Sequence, residues 1–77
     1  MCRSIMTLFN TDPPVTQAEI EAASLQFVRK ISGYRQPSQV NQAAFEQAVK
    51  DIAAATQILL NSLETSAPVR QREQKNK

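Results

Sequence analysis

The sequence predicts an all-α fold: a small antiparallel helical hairpin with an N-terminal arm packed against it. Three observations carry this expectation. Residues 16–32 and 41–63 repeat their apolar side chains at helical period, and no stretch alternates with period two. The chain's single glycine, Gly33, and Pro37 stand between the two stretches and bar one continuous helix. Ala and Gln are frequent, which favours helix over strand.

Taken in order, residues 1–10 place Ile5, Leu8 and Phe9 at i, i+3, i+4. That is enough for one helical turn with an apolar face. We expect an irregular arm whose three apolar side chains are buried against the helices. Asn10-Thr11-Asp12-Pro13-Pro14 is a stop, because each proline fixes its own φ and pushes the residue before it extended.

The first helix, residues 16–32, has marked ends. Thr16 and Glu19 make an S/T-x-x-E capping box, and Val15 with Ile20 fits a hydrophobic staple. Glu19 and Glu21 suit the positive end of the helix dipole, Arg29 and Lys30 its negative end. Gly33 supplies a residue that reaches φ > 0 and ends the helix. The predicted inward band is Ile20, Ala23, Phe27, Val28 and Ile31, with Leu25 off its centre and expected to meet the N-terminal arm.

Ser38 or Asn41 caps the second helix, which runs over residues 41–63. Its predicted band is Phe45, Ala48, Val49, Ile52, Ala55, Leu59 and Leu63, with Leu60 at the edge. Glu46 and Lys50 stand at i, i+4 on the polar side. After Pro68 the chain is mostly charged and amide residues. We expect residues 1–68 to be one domain and 69–77 a disordered basic tail.

Size and charge bound the function. A chain of 77 residues is one small domain. A domain of this size buries only roughly 60% of its unfolded surface, so oligomerisation or a bound partner is an ordinary remedy. A lone cysteine, Cys2, allows no internal disulfide, and no apolar run approaches 18 residues. These features point to a reducing, cytoplasmic setting with no membrane span. No His is present, which removes the commonest general base and metal ligand, so no catalytic residues are assigned and no cofactor is expected. The net charge of +2 is uneven. Residues 41–64 carry Lys50 against Glu46, Asp51 and Glu64, whereas residues 65–77 carry Arg70, Arg72, Lys75 and Lys77 against Glu73.

The ordered blocks MCRSI, TLFN, PP, LQFVRKISGY, PS and NQAAFEQAV resemble a family of small, mostly bacterial proteins, domain of unknown function 2277. The resemblance covers roughly residues 1–68 and departs from the family's usual pattern at Ser4. It implies that the N-terminal MCR block and the VRKISG block are family features. It implies no activity, cofactor or catalytic residue.

Four groups of residues are candidates for function. Cys2 becomes the N-terminal residue if Met1 is removed, which sets an α-amine beside a thiol with Arg3 adjacent. Such a pair could chelate a metal or act as a nucleophile; the plain alternative is a small residue tucked into the core. Arg29, Lys30, Tyr34 and Arg35 could grip an anion, or could simply complement the end of the first helix. Ala53, Ile58, Leu60 and Leu63 lie where the arm and the first helix leave the long helix uncovered, a surface for a second copy or another protein. The basic tail could bind nucleic acid weakly. Nucleic acid is disfavoured as a partner, because the long helix is net acidic and the connection exceeds that of a helix-turn-helix. A protein-interaction module is therefore the leading expectation, with Cys2 chemistry as the alternative.

Overall fold

A computed structural model of the chain describes residues 5–71. The order is β1 (Thr11–Asp12), α1 (Gln17–Ser32), a 3-10 turn (Gln39–Asn41), α2 (Gln42–Ser62) and β2 (Arg70–Gln71). The two helices pack against each other, and the two short strands pair beside them.

Local signals fix α1 as the sequence predicts. Thr16, in an extended conformation, accepts through Oγ1 from the Glu19 N–H at 3.2 Å, and the Thr16 N–H donates to Glu19 Oε1 at 2.8 Å. The Glu19 N–H also reaches the Thr16 carbonyl at 3.1 Å, so the box reinforces the first turn from both sides. At the other end Gly33 takes φ 80, and its N–H reaches the Arg29 carbonyl at 2.9 Å. Beyond its own chain neighbours no atom stands within 4 Å of where a Cβ on Gly33 would lie, so only the local backbone conformation resists substitution. Gly33→Ala is expected to cost about 1–2 kcal/mol in urea denaturation followed by circular dichroism. A loss below about 0.3 kcal/mol would mean that the helix ends elsewhere.

Neither Ser38 nor Asn41 caps α2 with its side chain. Asn41 precedes the helix, and its Nδ2 donates to Ser38 Oγ at 3.0 Å, so the two candidates bind each other. The 3-10 turn delivers the chain into α2 in their place, the Asn41 N–H bonding the Ser38 carbonyl at 2.9 Å.

Burial is narrower than the predicted bands and is turned from them. On α1 the buried residues are Ile20, Ser24 and Val28, spaced four apart as one ridge. Ser24 Oγ donates to the Ile20 carbonyl at 2.8 Å, which lets a hydroxyl sit in the contact without an unsatisfied group. Phe27 and Ile31, expected inward, are exposed. On α2 the buried residue is Ala53 at 3%, flanked by half-buried Val49, Ile52, Thr56 and Leu60. Leu59, Leu63 and Ala55, expected inward, are exposed. Ser24 and Ala53 are small residues near the middles of their helices. A helix–helix contact that runs through small side chains brings the backbones close and pushes the bulkier neighbours to its flanks. The arm is covered less than expected: Ile5, Leu8 and Phe9 are half-buried.

The sheet is the feature that the helical period could not announce. β1 and β2 pair in parallel, Thr11 with Arg70 and Asp12 with Gln71. Asn10 holds the junction. It adopts φ 58, which Asn tolerates better than most residues, and donates through Nδ2 to the carbonyls of Pro68 at 3.1 Å and Ala67 at 3.4 Å. Its own carbonyl accepts from the Arg70 N–H at 2.8 Å. The stop before α1 is therefore also the anchor for the segment after α2, and Asp12–Pro13 is a cis peptide within it. β2 falls in the segment that the sequence suggested would be disordered.

Candidate functional site

Two features outside the helix contact invite function: a cavity at one end of the helix pair and a charge-free face on α2.

The cavity has a volume of about 450 Å³ and lies between α1, the connection of residues 33–41 and α2. Its half-buried floor is apolar: Leu25 from α1, Pro37 from the connection, Phe45 and Val49 from α2. Leu25, for which the N-terminal arm was the expected contact, lines this cavity. Charge gathers around this floor. Arg29 and Arg35 line the cavity with Lys50, and Glu46 is the one carboxylate among them. Arg29 Nε donates to the Arg35 carbonyl at 3.0 Å, which ties the last turn of α1 to the connection and fixes the guanidinium at the mouth. Glu46, expected to meet Lys50, accepts instead from Gln42 Nε2 at 3.1 Å. Among the described residues no side chain pairs with Lys50 or with the Arg35 guanidinium.

The structure divides the predicted cationic cluster. Arg29 and Arg35 come together at the cavity, while Lys30 is exposed and stands outside it. Tyr34 is also outside; its hydroxyl accepts from Asn41 Nδ2 at 3.3 Å, so it braces the connection. Lys50 and Glu46 were missed as site residues. Their i, i+4 spacing was visible, but nothing local says which end of α1 stands beside them.

The predicted interface residues divide as well. Ala53 is corrected from surface to core, since it is the buried residue of α2. Leu60 is half-buried. Ile58, 67% exposed, and Leu63 remain open, and they are joined by Leu59. Ala55, Ile58, Leu59 and Ser62 follow i, i+3, i+4, i+7 and are all exposed, so α2 carries a second face away from the core contact. No charged residue occurs between Asp51 and Glu64.

Cys2 lies outside the described residues, as do Arg72, Lys75 and Lys77 of the basic tail. Among the described residues no group of three or more acidic or sulfur ligands converges, and no helix is long and apolar enough to cross a membrane.

A family model described as "Uncharacterized conserved protein (DUF2277)" matches residues 1–77. The chain belongs to this family, as the ordered sequence blocks implied. No curated protein and no solved structure matches it.

Proposed function

We propose that this member of the DUF2277 family is a small protein-interaction module that completes its core by pairing with a second copy of itself through the outer face of α2. One observation carries the reading. Among the described residues the buried apolar side chains are Ile20, Val28 and Ala53, while Phe27, Ile31, Ile58, Leu59 and Leu63 stay open to solvent. A core that small leaves little beyond the conformational entropy of ordering the chain. Covering the open face adds apolar burial at about 25 cal/mol per Å².

The choice of a second copy rests on charge. The twelve residues from Ile52 to Leu63 carry none, so a two-fold sets the same neutral segment against itself and requires no complementary charge from a different partner. Ala55 and Ser62 are small enough to let a second helix approach between Ile58 and Leu59. We take α1 and α2 as antiparallel within each copy. The cavity joins the second half of α1 to the first half of α2, as a hairpin turned back by residues 33–41 would.

The test is sedimentation across a hundredfold dilution series. The wild-type chain is expected to sediment as a dimer at tens of micromolar and to dissociate on dilution. The exposed double substitution Ile58→Glu with Leu59→Glu should give a monomer that keeps its far-ultraviolet circular dichroism. A wild-type monomer at every concentration would overturn the proposal.

A further inference from the structure

The geometry points to a binding site for an organic phosphate monoester in the cavity between α1, the connection and α2. The cavity falls in the roughly 300–1,000 Å³ range of small-molecule sites, with an apolar floor and a few polar groups at its mouth. The charge balance selects the ligand. Arg29, Arg35 and Lys50 face one carboxylate, Glu46. A phosphate monoester dianion neutralises that excess, a carboxylate monoanion leaves half of it, and a zwitterion leaves all of it.

Hydrogen bonding agrees. Arg29 Nε is occupied by the Arg35 carbonyl, which orients the guanidinium and leaves its two Nη groups to donate as a fork to phosphate oxygens. Gln42, in the first turn of α2, lines the same cavity, and that turn carries no acidic residue and no side-chain cap. The positive end of the α2 dipole adds to the field, with Glu46 one turn further on as the carboxylate of the lining. Leu25, Phe45 and Val49 supply the surface for a carbon body, which inorganic phosphate would leave uncovered. Glu46, held on one oxygen by Gln42, keeps an acceptor for a hydroxyl on that body.

Calorimetric titration of the full chain at low salt tests this, with phenyl phosphate as the probe. The buffer is set at about pH 7.5, above the second phosphate pKa of about 6. Phenyl phosphate is expected to bind about tenfold or more tightly than either methyl phosphate, which lacks the ring, or benzoate, which lacks the second charge. Arg35→Gln and Lys50→Gln, both at exposed positions, should each weaken it by about tenfold with circular dichroism unchanged. Lys30→Gln, which removes a nearby cation outside the cavity, should leave the affinity unaltered. Equal binding of methyl phosphate or benzoate, an equal loss in Lys30→Gln, or no heat with millimolar phenyl phosphate would each overturn the assignment.

Discussion

Ile20→Ala is expected to destabilise the chain by about 2–5 kcal/mol, the range for removing a large aliphatic side chain from a closed core. Ile20 is 1% exposed, the most deeply buried large side chain described. It sits at the fourth position of α1, in the first turns that the capping box fixes. A domain of this length holds on the order of 4–12 kcal/mol in total. A core of so few closed side chains belongs at the low end, so the substitution removes half of the stability or more. Urea denaturation at one fixed, dilute concentration measures this without a contribution from association. Ile31→Ala is the matched control: the same chemistry on the same helix, at a side chain 65% exposed, is expected to change stability by no more than about 0.5 kcal/mol. Equal losses at the two positions would mean that the core does not centre on Ile20.

The contrast between Ile20 and Ile31 also shows what the sequence could and could not say. Both belong to one apolar band, and the band itself was legible. So were the ends of α1, because a capping box and a left-handed glycine act over four or five residues and leave their signature there. Which part of a band closes depends on where the second helix crosses it, and that is not a local property. Hydrophobic weighting drew the centre toward Phe27 and Leu59. Burial centres instead on Ser24 and Ala53, the small residues that such weighting ranks low. The pairing of β1 with β2 was invisible for a simpler reason. Two-residue strands have no period to detect, and their register depends on Asn10 reaching residues 67 and 68, far along the chain. At the cavity, Arg29 and Arg35 could be named from sequence because both stand near the end of α1. Lys50 could not be, since it joins them only through the packing of α2 against α1.

The run Ala53-Ala54-Ala55 turns that difference into a measurement. Periodicity alone puts Ala55 inside and Ala53 outside; the structure reverses them, with Ala53 at 3% exposure and Ala55 open. Ala53→Leu forces three extra carbons into the most deeply buried position of α2. Overpacking of this kind costs typically about 1–3 kcal/mol. Ala55→Leu adds the same atoms to an exposed position and, in chain dilute enough to be monomeric, should stay within about 0.5 kcal/mol of wild type. The two variants share a composition and differ by two residues in position, so helix propensity and hydrophobicity cancel between them. A larger loss at Ala55 than at Ala53 would return α2 to the orientation that its apolar band suggests. It would also withdraw the outer face of Ala55, Ile58, Leu59 and Ser62, because a helix turned that way buries the surface on which pairing depends.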